Sequence, residues 1–133
     1  MTPAPIKPAV SMDVLEKLDI RVGTIRSVQE VPESRKLVRL EVDFGDHTRA
    51  ILSGMKGERE NLQELVGRQT LFFVNLEPRK MAGLTSEGML LDLGYADGIP
   101  PALAIPERPM PDGTRGAESA PPSGNNIYIV TGF

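Results

Sequence analysis

The sequence predicts an all-β fold with a minor helix, a five-stranded barrel carrying a few extra short strands and helices, and three observations lead there. Short runs of apolar–polar alternation recur through the first hundred residues, each of strand length. A single internal segment, 61–66, has helical spacing, and it falls between the third and fourth of these runs. The strands number five or six, too few for a sandwich of seven or more, so a closed Greek-key barrel of the OB type is the better fit.

Taken in order, residues 1–10 are rich in proline and lack apolar periodicity, which reads as a flexible arm. Ser11 or Asp13 then caps a short helix over 12–18, with Val14, Leu15 and Leu18 on one face. Leu18, Ile20 and Val22 alternate with Asp19 and Arg21 as the first strand, and the parity slips after Gly23, so a bulge is expected there. Val38, Leu40, Val42 and Phe44 alternate cleanly as the second strand. Gly45-Asp46 turns the chain into a third, Thr48–Leu52, running back antiparallel.

The helix 61–66 ends at Gly67, a residue suited to a helix C-terminus. The apolar run Thr70–Val74 reads as a buried strand, 75–88 as a loop, and Met89-Leu90-Leu91 as the next strand, with a weak last one at 102–105. The barrel domain therefore occupies 11–117. Residues 118–133 form a linker followed by a tail, in which Ile127-Tyr128-Ile129-Val130 offers an edge strand to this subunit or a neighbour.

Composition narrows the function. At 133 residues the chain holds one domain with a real core. It has no cysteine, no apolar run near the roughly 20 residues a membrane helix needs, and no signal-peptide pattern, so a soluble cytoplasmic protein is expected. The net charge of −3 argues against binding nucleic acid through a general field, and leaves a local basic patch as the only route.

Catalytic readings find no support. His47 is the only histidine and stands at a hairpin turn. There is no His or Cys cluster for a metal, and Ser53 in Leu52-Ser53-Gly54 lacks the elbow of a nucleophilic serine. Gly83 and Gly88 share the spacing of a phosphate-binding loop, but Met89-Leu90 stands where Lys and Ser or Thr are required. No enzyme and no cofactor is expected.

What remains is a barrel face with cations. Arg35 and Lys36 precede the second strand, Arg39 and Arg49 are placed on its outer side, and Arg79 and Lys80 lie in the loop 75–88. Each phosphate contact made by such groups adds roughly 0.7 to 0.9 to a salt slope. Asn75, Ser53 and Ser86 supply polar groups for base edges, and Met89 or an outward Phe72 or Phe73 supplies packing for a base. Four Phe, two Tyr and no Trp make no long stacking platform, so one or two splayed bases are the most the site accepts.

These residues together resemble the tRNA-binding domain found at the C-terminus of many methionyl-tRNA synthetases, in free-standing dimeric tRNA-binding proteins and in eukaryotic synthetase-associated cofactors. The signature is Asn75-Leu76-x-Pro78-x-Lys80-x-x-Gly83-x-x-Ser86-x-Gly88-Met89, supported in order by Leu18–Gly23, Arg35-Lys36-Leu37, Val42–Gly45 and Leu52-Ser53-Gly54. The resemblance implies an OB barrel that holds structured tRNA without chemistry, with Lys36, Ser53, Asn75, Lys80, Ser86 and Met89 as contacts, and Arg79 beside them from the basic pair. It also implies a homodimer.

Glu77 departs from the pattern, standing where the family often has Lys. The entry 15–25 is similar to the CsaA-like branch, regarded as a peptide-binding export chaperone, so unfolded polypeptide is the alternative ligand. Docking to an aminoacyl-tRNA synthetase is the third role the resemblance implies.

Overall fold

The alternation at Val38, Leu40 and Val42 becomes the inner wall of a barrel: all three are fully buried, while Arg39, Glu41 and Asp43 stay half-buried between them. The computed structural model describes residues 2–116. After a short helix α1 (Met12–Glu16) come β1 (Ile20–Glu30), β2 (Val38–Asp43), β3 (Thr48–Ser53), a 3-10 helix (Leu62–Leu65) and β4 (Gln69–Phe73). Short strands follow: β5 (Arg79–Met81), β6 (Leu84–Ser86), β7 (Met89–Leu90), β8 (Asp92–Leu93), β9 (Ala102–Leu103) and β10 (Arg115–Gly116), of which β5–β6 and β8–β9 form separate two-stranded pieces.

The main sheet runs in the order β3-β2-β1-β4-β7, and β10 joins the start of β1. It curls because β1 changes partner along its length. Residues 20–24 pair with β4, residues 24–30 pair with β2, and the register with β2 shifts between Ile25 and Ser27. That bulge adds local twist and lets one strand serve two walls. The fold is the OB-like barrel that the strand count predicts, and Ile25, Leu40, Ile51, Leu65 and Phe72 fill its centre.

The seam between β3 and the β6–β7 corner closes without a regular ladder. Glu87 donates its amide to the Ala50 carbonyl at 2.9 Å, and the Glu87 carboxylate accepts from the Ala50 amide at 3.1 Å. The Leu52 amide donates to the Ser86 hydroxyl at 2.9 Å. Side chains thus satisfy edge groups of β3 that would otherwise stand unpaired.

Several expectations change. Gly23 holds no bulge: it pairs in register with Thr70, and the slip lies three residues on. Its real constraint is space, since a Cβ there would come within 2.5 Å of Val42 Cγ1 and 2.8 Å of Phe44 Cε1. The helix expected over 12–18 is the five-residue α1, and the Ser11 hydroxyl bonds the Asp13 carboxylate rather than a helix amide. The segment 61–66 is one 3-10 turn, capped by Asn61 through the Gln63 amide. Four residues of usable periodicity are too few for an α-helix to nucleate.

Thr70–Val74 is buried on one face only. Thr70 and Phe72 point inward with Phe72 fully buried, which removes Phe72 as an outward base platform. The weak strand at 102–105 reduces to Ala102–Leu103, paired with β8. The linker and the β-prone tail at 127–130 lie outside the described residues.

The loop expected at 75–88 contains a hairpin, β5–β6, with Met81 opposite Leu84. Its two-residue turn is Ala82-Gly83, both at positive φ, 50° and 79°. Glycine adopts that conformation freely, whereas alanine does so at a cost of roughly 1–2 kcal/mol.

Candidate nucleic-acid interface

Cations divide into two groups by what holds them. Arg26 is bonded to Asp43 at 3.0 Å and Arg59 lies 3.6 Å from Glu58, while Lys56 donates to the carbonyls of Val31 and Ser34. Arg49, expected on the outer face, pairs with inward Val42 and sits at the barrel mouth. There it donates to the carbonyls of Val74 and Glu87, accepts support from the Phe44 ring 5.9 Å away, and bonds His47 Nε2 at 3.1 Å. Arg49 is a fastener of the seam. By contrast, Arg35, Lys36, Arg39, Arg79 and Lys80 make no side-chain hydrogen bond or ion pair among the described residues.

Those uncommitted cations lie along one connected path. Arg39 stands opposite Leu52, whose amide is bonded to Ser86, and Ser86 stands opposite Arg79 in the hairpin. Lys36 is tied to the same end of β3 because its carbonyl accepts from the Lys56 amide at 2.9 Å. Lys80 faces away from Arg79, with Thr85 as its cross-strand neighbour. The β1–β2 loop and the β4–β7 connection therefore carry free charge at the rim of β2 and β3, where OB barrels receive oligonucleotides.

The seven residues singled out from sequence occupy five different settings. Ser53, Arg79 and Met89 line a common groove of about 400 Å³, beside Glu58, Asp92 and Tyr95. Lys36 is exposed on the neighbouring loop, and Lys80 is exposed on the outer side of the hairpin. Ser86 is only 3% exposed, with its hydroxyl committed to Leu52 and, as donor, to the Gly88 carbonyl at 3.0 Å. Asn75 accepts from the Asp19 amide at 2.8 Å and donates to the Lys17 carbonyl at 2.6 Å, which fixes the junction of α1 and β1 to the loop.

Ser86 and Asn75 thus tie the hairpin and its approach to the barrel. Gly88 is needed at the same corner, where a Cβ would lie 2.8 Å from the Phe73 carbonyl oxygen. Sequence reasoning missed Tyr95, which is 63% exposed on the groove. The signal was an aromatic directly after Gly94, in a chain with two tyrosines.

Local fields are mixed. The Arg21 guanidinium, bonded to it at 2.7 Å, holds the Asp19 carboxyl below the usual carboxylate range. Burial pushes the Glu58 carboxyl above that range; Arg59 opposes the shift and Asp92 adds to it. His47 is fully engaged, with Nδ1 2.6 Å from the Asp46 carboxylate and its ring stacked on Phe44. No group of three or more His, Cys, Asp or Glu able to hold a metal occurs among the described residues.

A small OB-type barrel with free cations on two rim loops is the class that fold and site define. The chain belongs to the tRNA-binding domain family: residues 20–115 match the family model described as "Putative tRNA binding domain". It is 42% identical over 110 residues to a methionine–tRNA ligase of Bacteroides fragilis, covering 83% of this chain and 16% of the ligase. Among solved structures it resembles a MetRS-related protein from Pyrococcus horikoshii, at TM-score 0.75 and 31% identity over 83% of this chain and 99% of that one. The chaperone CsaA from Bacillus anthracis str. Ames gives 0.68 and 29%, over 81% and 98%. The chain spans about one sixth of the ligase it matches. The family is a non-catalytic module.

Proposed function

We propose that this protein binds structured tRNA and holds it without catalysis, through the β5–β6 hairpin, the β1–β2 loop and the groove between them. The observation that carries this reading is the division of the cations. Arg26, Arg49 and Lys56 are bonded to the barrel framework, whereas Arg35, Lys36, Arg79 and Lys80 on the two rim loops, with Arg39 on β2, are left free to meet phosphate. Lys36, Arg79 and Lys80 supply charge, Ser53 and Met89 supply contact in the groove, and Asn75 and Ser86 position the loop that carries them.

The protein works as a homodimer in the cytoplasm, on the same proposal. Val14 on α1 and Leu18 just after it are left 44% and 37% exposed, and Ile6 and Val10 ahead of the helix are exposed at 99% and 72%. Apolar side chains left open at this end favour burial against a second copy, which also doubles a small patch on an acidic chain. Light scattering should return about 29 kDa, twice the 14.5 kDa chain. A mass of one chain at high concentration refutes the dimer.

The binding reading is tested by a gel-shift titration with tRNA at low salt beside a titration with an unfolded polypeptide. Shift of tRNA is expected. Capture of polypeptide without any tRNA shift would give the site to peptides instead, and co-purification with a synthetase but no free tRNA binding would make it a docking module.

A further inference from the structure

Two features of the groove are not used by phosphate binding. Tyr95 presents its ring to solvent at 63% exposure, and Met89 lines the same groove at 48%. Large apolar side chains left open beside free cations are poor partners for phosphate and good ones for the face of a base. The groove also holds carboxylates, Glu58 and Asp92. Glu58 is engaged by Arg59 at 3.6 Å, whereas the half-buried Asp92 carboxylate has no hydrogen-bond or ion-pair partner among the described residues.

An ionised carboxylate only accepts hydrogen bonds, and it repels phosphate. Its two oxygens match two adjacent N–H donors, as they do in a fork with arginine. Among the four RNA bases, guanine alone presents two neighbouring N–H donors, N1–H and N2–H, on its pairing edge. Unpaired bases of RNA are read on that edge while stacked on a side chain.

We propose that this groove receives one unstacked guanine of the bound RNA, stacked on Tyr95 and packed by Met89, with Asp92 accepting from its N1–H and N2–H and Arg79 meeting the adjoining phosphate. The inference rests on the tRNA-binding reading and names what one part of that site reads. Ser53, at the groove wall, is free to contact the sugar.

The test uses the full chain and tRNA, with Tyr95→Ala, Tyr95→Phe and Asp92→Asn. Tyr95→Ala should weaken binding about 5- to 100-fold with an unchanged salt slope, because a neutral contact is lost. Tyr95→Phe should restore it. Competition by a short uridine oligoribonucleotide holding one guanosine should exceed that of its inosine counterpart, which lacks the 2-amino group, and Asp92→Asn should erase the difference.

Wild-type affinity in Tyr95→Ala, or equal competition by the guanosine and inosine oligonucleotides, overturns the inference and leaves tRNA binding standing. Loss of polypeptide capture rather than tRNA binding in these variants also overturns it. Absence of tRNA binding by the wild type removes the functional reading itself, which is a separate and earlier result.

Discussion

Ser86, a candidate contact by sequence, has its hydroxyl committed to the barrel. Its hydroxyl accepts from a buried strand amide and donates to the Gly88 carbonyl, so it closes the barrel at the root of the hairpin. Removing it leaves the Leu52 N–H unpaired in a buried seam. Ser86→Ala should cost about 1–3 kcal/mol in urea unfolding. Wild-type stability in that variant would show that the hydroxyl is not needed to close the seam. At this scale the sequence was legible in part: the polar residues stand out in an apolar chain, but whether a hydroxyl faces ligand or seam depends on pairings 34 residues apart in sequence.

Among the elements, the strands with clean alternation were readable and the irregular ones were not. β2 and β3 follow directly from Val38–Phe44 and the Gly45-Asp46 turn. The β5–β6 hairpin stayed hidden because its turn is Ala82-Gly83, not the Asn-Gly or Asp-Gly pair that marks a two-residue hairpin. Sequence alternation shows the slip in β1 but points to Gly23 for it, since glycine suits a bulge and also suits close packing. Pairing with β2 and β4 decides between them. Gly23→Ala pushes a methyl against Val42 and Phe44 in the core and should destabilise by about 1–3 kcal/mol, measured by the same unfolding experiment. An unchanged midpoint would mean the two walls are not in contact there.

The whole molecule carries −3 formal charge, yet several aspartates strengthen it. Arg21 lowers the Asp19 carboxyl, the Gly45 amide and then Arg26 lower Asp43, and the bond to His47 lowers Asp46. A lowered folded value means that the native state binds fewer protons than the unfolded chain. The stability from these three is complete above the ordinary aspartate value of about 4 and is lost as pH falls through the lower folded values. Glu58, raised by burial, contributes in the opposite sense and loses its contribution as pH rises through its folded value. Three against one predicts a melting temperature that drops on acidification below about pH 4. A flat acid limb would show that these contacts do not persist in solution.

The central claim concerns five uncommitted cations on an acidic barrel, and the salt dependence of tRNA affinity tests it most directly. If Arg35, Lys36, Arg39, Arg79 and Lys80 each meet a phosphate, log Kd against log salt should have a slope of about 3.5 to 4.5. Lys80→Ala should lower that slope by about 0.7 to 0.9 while leaving the fold intact. A wild-type slope near zero, or one that Lys80→Ala leaves unchanged, would contradict the placement of the interface on this hairpin.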